Sequence, residues 1–347
     1  MRRLVATIWP LAVLMLVICV IVAAAAAMAP STQRVVTDGL LKLIVVVGAY
    51  IFIGNSGVLS FGHIGFMAIG AYTSAWLTIP PMTKKVLLPG LPDFLMQLHW
   101  GTVPATIAGG VAAMVVALVA GLPLMRLSGI AASIGTFAML AIIQATFSNW
   151  TSMTGGQGSL FGLPASTDMY VAGAWGLVTL AVAYAYQCSR FGFRLRSSRE
   201  EEVASRASGV DVPRERLVAF VISAFFVGVA GSLHAHFLGV VTANQYFLAL
   251  TFITLAMLVI GGINSLSGAV TGVLVVSVLA ELLRRVEGGF TVASWEVSAL
   301  PGLREVGLAL AMLLILVWRP RGLTDGREIG WPGALYGKFA SKRKSRP

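Results

Sequence analysis

Charge is scarce in this 347-residue chain: 11% of its residues are Asp, Glu, Lys or Arg, against 57% hydrophobic. At a mean hydropathy of +0.85, it lacks the polar surface that a soluble domain of this length needs to cover its core. Cysteine is nearly absent. Cys19 and Cys188 both lie in or beside apolar runs, which excludes a disulfide framework and a zinc spacing. No GxxxxGK(S/T) phosphate loop occurs, so any ATP hydrolysis linked to this chain belongs to another subunit and the chain binds no cofactor of its own. None of the fourteen acids falls in the middle of an apolar run; Asp38, Glu281 and Glu305 come nearest, at run ends. A proton-driven carrier keeps a titrating carboxylate at mid-membrane, so their placement argues against one. It argues less against a sodium-coupled carrier that uses backbone carbonyls.

What is present is a series of apolar runs. Ten candidate spans lie near 4–28, 36–54, 62–79, 101–121, 128–148, 170–188, 215–239, 246–262, 266–283 and 304–318, each close to the roughly 17–25 residues that cross a bilayer. The third and eighth are short and glycine-interrupted, so broken or re-entrant helices are expected there, and the count stands at about eight to ten. The first run follows Arg2 and Arg3 but is too long for a signal peptide, and reads as an uncleaved anchor. With both termini in the cytoplasm, eighteen of the 25 basic residues fall inside and seven outside, as the positive-inside rule requires. The net charge of +11 is therefore a topology signal and predicts no nucleic-acid partner. Trp9, Trp100, Trp150 and Trp318 sit near span ends, where an aromatic belt is expected. His234 and His236, two residues apart, face different sides of one helix and suit no shared metal. The tail SKRKSRP reads as a positive-inside anchor that also attracts anionic lipid.

One polar stretch interrupts the apolar series. Between Ser189 and Phe220 lie seven arginines and five acids, a density that stays cytoplasmic during insertion. Within it EEEVASRASGV reads as a short helix ended by Gly209 and followed by Pro213. Such a helix, held by two spans, offers a handle for a separate motor protein. Val203, Ala207 and Val210 recur at i, i+4 and i+7 and suit an apolar cleft; Arg199, Glu202 and Arg206 form a second, charged side. Three glycine-rich breaks mark where a polar solute would meet backbone. The first, 54–75, carries Asn55, Ser56, Gly57, Ser60 and His63; the second, 260–272, carries Gly261, Gly262, Asn264 and Ser265; the third is the loop 151–164.

The ordered motifs GNSGVLSFGHIGFMAIGAY, MTGGQGSLFGLP, SRFGFRLRSSREEEVASRASGVDVPRERLVAFVISAFFVGVAGSL, VIGGINSLSGAVTG and LILVWRPRGL cover residues from about 36 to 323. Together they resemble LivM-type permeases of branched-chain amino acid ABC importers. The resemblance implies an all-α, polytopic permease domain over 1–323 with a basic cytoplasmic tail over 324–347. It implies import of branched-chain amino acids, or of urea or short amides, which related permeases also serve, across a bacterial inner membrane. It also implies a LivH-like second permease, two cytoplasmic ATPases that spend the ATP, and an extracytoplasmic substrate-binding protein. The segment 193–213 would dock on the ATPase through Arg199, Glu202, Val203, Ala204, Arg206, Ala207, Gly209 and Val210. Importer loops of this kind begin Glu-Ala-Ala, with Gly six residues after the Glu. Here Glu202 is followed by Val203 and Ala204, with Gly209 seven after it, which leaves the register of the docking helix open. The alternative is a stand-alone secondary carrier or channel, in which this loop is passive.

Overall fold

Each of the ten apolar runs folds as a helix in the computed structural model, which describes residues 2–287, 290–292, 295–297 and 302–329. The chain opens with α1 (Arg2–Ala26), α2 (Pro30–Ser56) and α3 (His63–Thr78), then two short helices, α4 (Pro81–Leu87) and α5 (Asp93–Gln97). Next come α6 (Thr102–Leu124), α7 (Gly129–Asn149), the single turn α8 (Thr151–Thr154) and α9 (Met169–Cys188). A polar pair, α10 (Arg190–Glu200) and α11 (Glu202–Ala207), leads into α12 (Val212–Leu238). The last three are α13 (Leu248–Gly261), α14 (Leu266–Glu287) and α15 (Leu303–Trp318). Strands among the described residues are confined to two antiparallel ribbons, β1 (Leu160–Phe161) with β2 (Val240–Val241) and β3 (Phe290–Val292) with β4 (Trp295–Val297). The fold is all-α and polytopic.

Eight segments are long and apolar enough to cross a membrane, within the eight to ten expected. Helices α3 and α15, of 16 residues each, rise only about 24 Å, short of a hydrocarbon core of roughly 30 Å. Helix α3 is short, as expected, and runs unbroken through its glycines. Its glycines serve packing instead: a Cβ at Gly70 would lie 2.0 Å from the carbonyl oxygen of Gly228, and one at Gly231 1.9 Å from that of Met67. Small residues let α3 and α12 approach backbone to backbone, the main source of helix cohesion where lipid is as apolar as the side chains. Helix α13 is short, as expected, and a 3-10 turn over Ala243–Tyr246 precedes it. Helix α2 begins six residues earlier than its apolar run, because Pro30 opens it. Arg34 thereby falls inside the helix, and Asp38 sits about two turns from its start rather than at its edge.

Helix α12 forms the centre and packs on α2, α3 and α6. Phe220, Val227 and Ala230 on it are fully buried, as are Leu41, Ile44 and Phe52 on α2. The periphery is α1, α6 and α7, whose apolar side chains point outward: Val111, Val115 and Val119 on α6, Ile134 and Ile142 on α7. Outward apolar surface of that kind is what lipid accepts and water does not.

The bundle has two ends of different character. One gathers α10, α11, the C-terminal end of α2 and the turn between α13 and α14, joined by the contacts of Arg199. The opposite end gathers α4, α5, α8 and β1–β2, where Trp76 Nε1 donates to the Met153 carbonyl at 2.8 Å. There Lys84, fully buried, donates to the Leu95 and Leu98 carbonyls. Burial holds its pKa below the usual lysine value.

Candidate coupling face and translocation path

Local sequence explains the polar end. The Ser189 hydroxyl caps α10 by accepting from the Gly192 amide at 3.2 Å. Helix α10 breaks at Glu201, whose backbone is extended (φ −153, ψ 104). Helix α11 then starts at Glu202, not with the preceding glutamates, and the chain turns at Gly209 with φ 84. Charges facing the bundle are spent on structure. Glu202 pairs with Arg206 at 2.5 Å and with the buried Arg216 at 2.9 Å, and Arg194 meets Glu215 at 3.2 Å. Ser205 is buried beside Ser197. Val203 (75% exposed), Ala204 and Ala207 are left outside with Arg206, a small apolar strip beside one charge. Val210 lies beyond the end of α11 and is half-buried.

Arg199 sits one helix earlier, near the end of α10, and turns inward. Its Nη1 donates to the Gly54 carbonyl at 2.8 Å and to Asn264 Oδ1 at 3.2 Å, while Nη2 reaches Glu200 at 2.8 Å. The stem of Arg199 crosses Gly57, where an added Cβ would lie 2.5 Å from its Cγ; Gly57 also needs its φ of 72 to end α2. One side chain of the polar hairpin therefore touches both predicted breaks of the path.

Those breaks are buried. Asn55 and Ser56 close α2, Ser60 lies in the connection and His63 opens α3, each at most 3% exposed. Asn55 Oδ1, Ser60 Oγ and both ring nitrogens of His63 have no hydrogen-bond partner among the described residues. The His63 ring is instead packed by Phe52, Phe66 and Phe220, at 5.6–6.1 Å between centroids. A cavity of about 10 Å³ lies between Ser60, His63, Ile53, Thr254 and Leu258, no more room than about one water needs. Gly261, Gly262 (φ 121), Asn264 and Ser265 make the α13–α14 turn. Bulky faces, not open space, surround the polar groups at this level.

The family described as "Branched-chain amino acid transport system / permease component" matches residues 31–317 of the chain. The chain belongs to this permease family. LivM, the high-affinity branched-chain amino acid transport permease protein of Escherichia coli (strain K12), is 27% identical over 327 residues. That alignment covers 84% of this chain and 70% of the relative. LivM of Salmonella typhimurium is likewise 27% identical, over 83% of this chain and 69% of the relative. LivH of Salmonella typhimurium is 26% identical over 71% of this chain and 83% of the relative. No solved structure matches the chain. The permease is a transporter subunit and not an enzyme.

Sequence reading missed one part of the permease's polar end. Residues 324–329, the start of the predicted tail, fold back onto the α13–α14 turn. Thr324 Oγ1 lies 2.9 Å from both Ser265 Oγ and the Gly261 carbonyl. Glu328 accepts from the Leu266 and Ser267 amides at 2.7 and 3.1 Å and from the Ser267 hydroxyl, capping α14 with a carboxylate. Gln187 of α9 donates to the same carboxylate at 3.0 Å. Nothing local in TDGREI announces a partner sixty-one residues away. The rest of the predicted tail, 330–347, lies outside the described residues. His234 and His236 take separate partners, the Tyr246 hydroxyl for the first, the Ser232 carbonyl and Thr78 hydroxyl for the second.

Proposed function

We propose that this permease is one of two membrane subunits of an ATP-driven importer of branched-chain amino acids or related small solutes such as urea or amides. A LivH-like subunit is its partner, one of two ATPases docks on the α10–α11 face, and an extracytoplasmic binding protein delivers the solute to the opposite end. The α10–α11 end is cytoplasmic, as its arginine density requires, and both termini lie on that side of a bacterial inner membrane. High affinity resides in the binding protein, because the path is walled mainly by apolar side chains.

The observation that carries the reading is Arg199, which joins the polar hairpin to Gly54 and Asn264. Docking of an ATPase on Val203, Ala204 and Ala207, with Arg206 and Glu202 setting register, moves α11 and α10 together. Arg199 then pulls on the end of α2 and on the α13–α14 turn, where Asn55, Ser56, Gly57, Ser60, His63, Gly261, Gly262 and Ser265 gather. A shift there opens the constriction at His63 toward the cytoplasm. The relatives are named for branched-chain amino acid transport, which supports that substrate class.

The test is ATP-dependent uptake of radiolabelled leucine, with urea in parallel, in proteoliposomes holding both permeases, the ATPases and the binding protein. Leucine uptake that needs every component supports the reading. Urea uptake alone keeps the importer and changes its solute. Uptake by this chain without ATP would replace the importer with a stand-alone carrier.

A further inference from the structure

The end of the bundle opposite α10 and α11 holds a cleft of about 680 Å³, within the range of small-molecule sites, about 300–1,000 Å³. Its lining includes Asp38 and Lys42 from α2, His234 from α12, Leu250 and Ile253 from α13, and Met312 from α15. Asp38 and Lys42 are paired at 2.5 Å, one turn apart, with side chains 37% and 14% exposed. Their mutual contact is the only ion pair either makes among the described residues, and His234 of α12 lies within reach of both charges. Helix α2 is otherwise apolar from Leu43 to Ile53 and buried there. An ion pair carried into a membrane helix is costly, and ionisable residues so placed are functional by default. Helix α13 runs from this cleft, past the small cavity at His63, to the second path break at its C-terminal end. Leu250, Ile253 and Ala256 line the cleft, Thr254 and Leu258 line the small cavity at His63, and Gly261 ends the helix.

We propose that this cleft is a low-affinity site for an α-amino acid zwitterion with an apolar side chain. Asp38 takes the ammonium, Lys42 takes the carboxylate, and Leu250, Ile253 and Met312 pack the side chain. A fixed carboxylate and ammonium one helical turn apart match the two opposite charges of an amino acid, which exchanges their mutual contact for two charge-assisted bonds. Urea and short amides carry no such charges and gain nothing from the pair. The site therefore selects amino acids where the importer reading above, on which it rests, leaves amides open.

The experiment uses the assembled importer in intact cells, with Cys19 and Cys188 replaced by Ser and a single reporter, Ala249→Cys, on the cleft wall. A membrane-impermeant methanethiosulfonate is added outside, with leucine, 4-methylpentanoate, isopentylamine or urea as protectant. Leucine slows modification, while the two single-charge analogues and urea do not at the same concentration. In Asp38→Asn/Lys42→Gln, protection by leucine weakens by about tenfold to a hundredfold, the loss of charged hydrogen bonds. Equal protection by 4-methylpentanoate or urea, absent protection by leucine, or unchanged protection in the double variant each overturns the site. The analogue series needs no variant beyond the reporter and stands even if the double variant fails to assemble. Protection by leucine without ATP-driven uptake keeps the site and removes the importer; uptake that survives in the double variant does the reverse.

Discussion

Single residues decide how force and solute meet. Arg199 makes one contact to a backbone carbonyl and one to an amide side chain, across two different turns. Replacing it by Met removes charged hydrogen bonds of about 1.5–3 kcal/mol, so leucine uptake in proteoliposomes falls at least about tenfold while the complex still assembles. Arg199→Lys does not restore uptake, because a compact ammonium cannot keep the fork of a guanidinium. Unchanged uptake in Arg199→Met removes the linkage. His63 makes the opposite case. Its ring lies among three phenyl rings with both nitrogens unpartnered, so His63→Phe stabilises the fold or leaves it neutral, to the extent of about 1–3 kcal/mol. Thermal unfolding in detergent checks this, and uptake falls in the same variant if the constriction must become polar to pass a solute. The polar residues of both breaks were legible in the sequence as small, hydrogen-bonding positions between apolar runs. That Arg199 bridges them was not, since its spacing from Glu202 and Arg206 suggested one continuous helix. The break at Glu201 turns it the other way.

Elements follow from apolar length and from what ends it. The ten helical runs were readable because most are bounded by proline, glycine or charge. The boundary of α2 was not, because Pro30 opens the helix six residues early, through residues 30–35 that read as a flank. Continuity of α3 was also hidden, since a glycine row that promises a broken helix serves equally as a packing face. Gly70→Val tests that face. With a Cβ already 2.0 Å from the Gly228 carbonyl, the variant loses more than about 3 kcal/mol and disappears from the membrane fraction. Gly209 behaves otherwise. Nothing lies within 4 Å of the position where its Cβ would be, yet φ is 84, so Gly209→Arg costs only about 1–2 kcal/mol of left-handed backbone strain. The protein inserts normally and co-purifies with less ATPase; undiminished co-purification would take α11 out of the docking surface.

At the scale of the whole molecule, the arginine-rich α10–α11 hairpin lies at one end and the cleft with its Asp38–Lys42 pair at the other. Cys188, exposed where α9 meets α10, reports that orientation without any substitution. A membrane-impermeant maleimide labels it in opened membranes and leaves it unlabelled in intact cells. Labelling of intact cells would invert the topology.

The carboxylate of Glu328 has a consequence for the order of synthesis. A chain inserted from its N-terminus delivers α13 and α14 to the bilayer before residue 328 leaves the ribosome. Until then the first amides of α14 lack their acceptor, and Gln187 lacks the partner that ties α9 to them. This part of the polar end thus closes only after α13, α14 and α15 have been made. A chain stopped after Leu323 keeps all the described helices and leaves the first amides of α14 without the carboxylate that caps them.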